Sequence, residues 1–178
     1  MNAKLKIIIS VATFGTIGIF VRNISLSSGE IALFRAIIAA VVILIYKGLR
    51  GKGLLLWDIK KDIPILFVSG VAMGFNWILL FQAYKYTSVS LATLSYYFSP
   101  VIVMLFSPIL FKEKMTIKQI ICFVMSTIGL IMVIGISGMD ESSDNLIGIG
   151  LGLGAAALYA TVVLLNKLVK DVNGIDRT

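Results

Sequence analysis

The chain has 178 residues, 58% of them hydrophobic and 14% charged, with a mean hydropathy of +1.00. Soluble domains average roughly 45–50% apolar and 25% charged residues, so this composition belongs to a membrane protein. The formal net charge of +7 comes from short basic clusters set between apolar runs, which excludes the continuous basic patch of a nucleic-acid binder.

Six runs approach or exceed the ~17–25 residues that cross a hydrocarbon core. They are Leu5–Val21, Ile31–Tyr46, Ile63–Tyr84, Val89–Phe111, Ile117–Ser137 and Ile147–Leu165. The apolar part of the first exceeds the ~7–15 residues of a signal-peptide core, so it is expected to be retained as a helix. All six are of helix length and lack period-two alternation. Backbone polar groups must be satisfied internally in lipid, so the fold class is all-α, a polytopic transmembrane helix bundle.

Orientation follows from lysine and arginine. Thirteen of the sixteen, from Lys4 and Lys6 through Lys47–Lys61 and Lys112–Lys118 to Lys167–Arg177, fall in loops on one side; only Arg22 and Lys85 fall on the other, and Arg35 lies inside the second run. The positive-inside rule places the N-terminus in the cytoplasm and the Asp140–Glu141–Asp144 loop outside. Tyr46 and Trp57 on the inner side, with Tyr84 and Tyr86 on the outer, suit interfacial aromatic belts.

The stretch from Asn76 to Lys118 holds most of the chemistry: two apolar runs joined at Tyr84–Ser88, then Tyr96, Tyr97, Pro100, Pro108 and a basic turn, Lys112–Glu113–Lys114. The sixth run also repeats features of the first. In each, small residues precede an aromatic, Phe14 or Tyr159, and a threonine follows two residues later, Thr16 or Thr161. The two copies lie five places apart in helix order, an odd offset, so they are expected to cross in opposite senses.

These residues resemble the drug/metabolite transporter superfamily, in particular its EamA-type members. The resemblance rests on Phe14-Gly15-Thr16 with Arg22, Leu33-Phe34-Arg35-Ala36 and Ala83-Tyr84-Lys85-Tyr86-Thr87-Ser88. It continues through Ser99-Pro100-Val101, Phe111-Lys112-Glu113-Lys114-Met115-Thr116 and Gly129. It implies ten helices in two inverted five-helix repeats. Residues 1–139 would then be the first repeat, and residues 140–178 an outer loop and the first helix of a second, incomplete repeat. It further implies an inner-membrane secondary transporter, exporter or exchanger, for small metabolites such as amino acids, completed by a second copy or a missing C-terminal half. The half-size length equally suits a membrane scaffold or assembly subunit without transport activity by itself.

Depth counting at ~1.5 Å per residue puts Asn76 and Pro100 near the bilayer midplane and Tyr96 and Tyr97 a turn outward. Pro100 cannot donate to the Tyr96 carbonyl, nor Pro108 to that of Met104, so the fourth run should bend and expose an acceptor. Tyr96, Tyr97 and Trp77 offer stacking faces with a polar edge, and the amides Asn76 and Gln82 need partners in hydrocarbon. An arginine at mid-span is costly unless it faces protein or water. Arg35 is therefore either a contact for a carboxylate or phosphate on the solute, or a structural cation snorkelling toward Glu30 or pairing with exposed carbonyls. Phe14 and Tyr159 complete the candidate solute-contacting set of Phe14, Arg35, Asn76, Trp77, Tyr96, Tyr97, Pro100 and Tyr159.

Gly70–Gly74, Gly148–Gly152 and Gly150–Gly154 have the small-xxx-small spacing that lets helices approach closely. Histidine is absent, which removes the commonest metal ligand and the usual catalytic base. No nucleophile with a base and no intramembrane acid pair appears, so neither an enzyme nor a cofactor or metal site is expected. Cys122 lies among apolar neighbours as an expected buried small hydrophobe.

Overall fold

The computed structural model describes residues 3–49, 62–112, 114–137 and 143–169. Among them are seven helices and no strand: α1 (Ala3–Asn23), α2 (Ser28–Leu49), α3 (Ile63–Tyr86), α4 (Val89–Tyr96), α5 (Ser99–Phe111), α6 (Ile117–Ser137) and α7 (Ser143–Leu168). Of these, α2, α3, the α4–α5 run and α7 are each long and apolar enough to cross a membrane. The protein is an all-α, multi-pass membrane protein. Trp57, Glu113 and the Asp140–Glu141 loop lie outside the described residues.

Local signals set the helix ends. The Ser27 hydroxyl accepts from the Glu30 N–H at 3.2 Å while the Glu30 carboxylate accepts from the Ser27 N–H at 2.7 Å. This reciprocal capping box starts α2 at Ser28, earlier than the apolar run alone implies. Thr116 and Gln119 begin α6 in the same way, with Gln119 Oε1 accepting from the Thr116 N–H at 2.8 Å. Pro64 sits in the first turn of α3, where its missing N–H costs nothing.

The fourth apolar run is interrupted near Pro100 by a two-residue turn, Tyr97 and Phe98, between two helices. α4 ends at Tyr96, and α5 starts at Ser99. Pro100 supplies no N–H to the Tyr96 carbonyl, and the chain tightens just before it, with the Phe98 N–H donating to Ser95 O at 3.2 Å. Pro108, by contrast, lies within a continuous α5, which stops at Lys112 with left-handed backbone, φ 54°.

Cross-helix hydrogen bonds fix the directions. Ser69 with Asn166, Asn76 with Ala155 and Thr87 with Asn145 link rising numbers on the α3 side to falling numbers on α7, so these two helices are antiparallel along their length. Ser28 with Gln82, and the Lys85 ammonium on Leu26 O at 2.9 Å, likewise join the start of α2 to the end of α3. α4 and α7 run in the same sense, since Gly148 meets Thr87, and Gly152 meets Ala92 and Ser95. The core forms where α3, α4 and α7 meet: Leu80, Phe81, Ala83, Tyr84, Ala92, Tyr96 and Ala155 are buried, with Val21 of α1 packed among them. Large apolar side chains on α2 and α6 remain exposed, as lipid-facing surfaces are.

Three readings of the sequence are corrected. Only one glycine pair brings helices together as closely as expected: a Cβ on Gly148 would lie 2.5 Å from Thr87 and one on Gly152 2.9 Å from Ser95, whereas Gly70, Gly74 and Gly150 face open space. Tyr84 does not join an interfacial belt but is 4% exposed in the core, because α1 and α4 close over the end of α3. Cys122 is exposed, not buried, since nothing described covers its face of α6.

Candidate functional site

Asn76 occupies mid-length on α3, wholly buried where α3 meets α7. Its amide Nδ2 donates to the Ala155 carbonyl of α7 at 2.6 Å. Its Oδ1 is buried with no hydrogen-bond partner among the described residues, and the Tyr96 hydroxyl lies alongside. Tyr96 in turn packs against Tyr159 of α7, ring centroids 5.6 Å apart, and against Tyr97 at 6.1 Å. Asn76, Tyr96 and Tyr159 thus gather at the break between α4 and α5.

Arg35 goes elsewhere. Its guanidinium sits 3.5 Å above the centre of the Trp77 ring, and Trp77 leans on Phe81 at 5.3 Å. A cation over an indole face gains about 0.5–2 kcal/mol, more as water is removed, which accounts for a half-buried arginine at this depth. The snorkel toward Glu30 is not made, because the Glu30 carboxylate is held by the Ser27 cap. Gln82 finds its partner in the Ser28 hydroxyl at 2.7 Å, on a neighbouring helix.

A cleft of about 450 Å³ opens between α5, the turn before α6, and α7. Pro100 and Tyr159 line it, Val103, Met104, Met115 and Val163 form its apolar walls, and Ser107, Lys114, Gln119 and Lys167 supply its polar groups. The Lys167 ammonium donates to the Ser107 hydroxyl at 3.2 Å and lies 4.3 Å from the centre of the Phe111 ring.

The structure therefore separates the eight candidate residues. Tyr96, Tyr159 and Asn76 form one cluster, Pro100 and Tyr159 reach the cleft, and Arg35 with Trp77 forms a stacked pair on the α2 side. Tyr97 points outward and is 51% exposed. The Phe14 side chain lies outside the described features. Sequence reasoning missed Ser107, Gln119 and Lys167. The available signal was the last-turn lysine of the sixth run falling on the same side as the Lys112–Lys118 turn.

A profile of the EamA-like transporter family matches residues 1–135. The chain belongs to that family. It is 28% identical over 174 residues to a Bacillus subtilis protein named "Uncharacterized transporter YxxF", an alignment covering 97% of this chain and 56% of that protein. It is also 29% identical over 177 residues to mouse solute carrier family 35 member G1, and 28% identical over 177 residues to the human protein of that name. Each alignment takes in 93% of this chain and 48% of the relative. The chain thus spans about half the length of the curated relatives it matches. No solved structure matches it.

Proposed function

We propose that this EamA-like chain belongs to a secondary transporter of the cell's inner membrane, an exporter or exchanger that moves small metabolites such as amino acids by alternating access. The observation that carries this reading is the α5–α7 cleft, which runs from lysines at one end to Pro100 and Tyr159 beside a broken helix. Interrupted helices at mid-membrane are where transporters present backbone polar groups to a solute. Its volume of about 450 Å³ falls within the ~300–1,000 Å³ typical of small-molecule sites.

The antiparallel course of α3 and α7 supports the further proposal that residues 140–178 begin an inverted second repeat after a first repeat at 1–139. In that arrangement the solute contacts are Asn76, Tyr96, Tyr159 and Pro100, with Arg35 and Trp77 as a flanking pair and Phe14 and Tyr97 as outer contributors. The lysine-rich end faces the cytoplasm, and a second copy or a further set of helices completes the pathway.

Counterflow of radiolabelled amino acids in proteoliposomes tests the reading, with concentrative exchange expected for at least one solute. No flux of any solute by folded protein overturns it. The rival reading, a scaffold or assembly subunit, predicts no flux together with stable co-purification of a larger partner.

A further inference from the structure

We infer that the basic end of the α5–α7 cleft is an anion-recognition mouth, in which Lys114 and Lys167 take a carboxylate or phosphate carried by the transported solute. The inference deepens the transporter reading and rests on it.

Lysines near the end of a membrane helix ordinarily extend outward to reach water. Lys167, in the last turn of α7 and exposed, reaches across to α5, where its ammonium meets the Ser107 hydroxyl and the Phe111 ring. There it sets a positive charge on the wall of the cleft, and the C-terminal end of the α7 dipole favours a cation in that turn.

The rest of the lining agrees in sign. Both charged side chains among the described lining residues, Lys114 and Lys167, are cations. Gln119 spends its carbonyl oxygen on the Thr116 N–H and hydroxyl, at 2.8 and 3.0 Å, so the amide NH₂ is what it offers a guest. The hydroxyl of Tyr159 can also donate. Cations and donors gather at one end and apolar walls lead inward to Pro100, so the cleft suits a short solute that enters with its anionic group at the mouth.

The test is calorimetric titration of the purified protein in phosphatidylcholine nanodiscs with four probes of similar length: glutarate, glycerol 3-phosphate, 5-aminopentanoate and 1,5-diaminopentane. The two anions are expected to bind most tightly and the dication least, and comparison of glutarate with glycerol 3-phosphate reads which anionic group is preferred. Lys167→Gln and Lys114→Gln should each weaken anion binding about tenfold, the scale of one charge-assisted hydrogen bond, while Lys167→Arg retains it. Anion affinities that ignore both Gln variants, or a preference for the diamine, overturn the inference and leave the transporter reading standing. Phosphatidylglycerol that displaces both anions through the same lysines assigns them to a lipid headgroup and also overturns it. Loss of flux for every solute in counterflow would instead remove the transporter reading, and the inference with it.

Discussion

Asn76 gives the sharpest separation of stability from function. Replacing it with Ala removes the 2.6 Å bond to the Ala155 carbonyl and leaves a void at a fully buried position. Side-chain hydrogen bonds between membrane helices average about 0.6 kcal/mol and reach about 1.7. The lost carboxamide is three heavy atoms, a void larger than the methyl-sized one that costs about 1 kcal/mol, so the loss should be at least about 2 kcal/mol. Asn76→Leu removes the donor and the unpartnered Oδ1 together and refills the volume, so it should be close to neutral or slightly stabilising. Asn76→Asp places a carboxylate between α3 and α7 and should be the worst of the three. Unfolding in mixed micelles, titrated with sodium dodecyl sulfate and followed by circular dichroism, ranks them. If Asn76 contacts solute, Asn76→Leu should fold like the parent yet lose counterflow. A Leu variant as unstable as the Asp variant would refute the reasoning, since it would mean the amide is indispensable to the α3–α7 interface.

Gly152→Ala should cost about 1–3 kcal/mol by pressing on Ser95 and the Ala92 carbonyl, whereas Gly150→Ala on the open side of α7 should cost nothing; the same detergent titration compares them. Arg35→Ala and Trp77→Leu should show a coupling of about 0.5–2 kcal/mol in a double-mutant cycle, and additivity within about 0.3 kcal/mol would deny the stacked pair. If Arg35 also contacts solute, Arg35→Ala will raise the half-saturation concentration for anionic or zwitterionic solutes more than Trp77→Leu does. Pro100→Ala restores a donor to the Tyr96 carbonyl and should join α4 to α5; the expected result is unchanged expression with slowed counterflow, and unchanged flux would make the break dispensable.

The spans were legible because each apolar run exceeds what a soluble core requires, and the fourth run's interruption because proline carries its missing donor in its covalent structure. The rotation of each helix was not. An amphipathic helix in water marks its buried face by polarity, but α3 and α7 are apolar all round, so nothing in the composition of α3 says that Tyr84 turns inward while Gly70 and Gly74 turn out. The three glycine pairs share one spacing, and only the partner opposite, Thr87 or Ser95, distinguishes the pair that packs. At its depth Arg35 demands a partner. The one it has, the Trp77 face, depends on the antiparallel register of α2 and α3, which no local signal reveals. Of the candidate site, Asn76 and Pro100 were legible as polar and backbone-breaking features at the midplane, Tyr96 as an aromatic a turn outward, and Tyr159 as the aromatic of the repeated pattern. The lysine-lined end was not, because it joins residues from three separate helices.

The pairing of α3 with α7 also bears on how the protein is made. Asn76 and its acceptor on Ala155 are 79 positions apart in the sequence. At synthesis rates of about 5–20 residues per second, α3 waits on the order of 4–16 s in the bilayer before its principal neighbour leaves the ribosome. During that interval the Asn76 amide has only lipid, another helix or an insertion factor to meet. A nascent chain halted before α7 should therefore crosslink from position 76 to the insertion machinery, and one extended past α7 should let go.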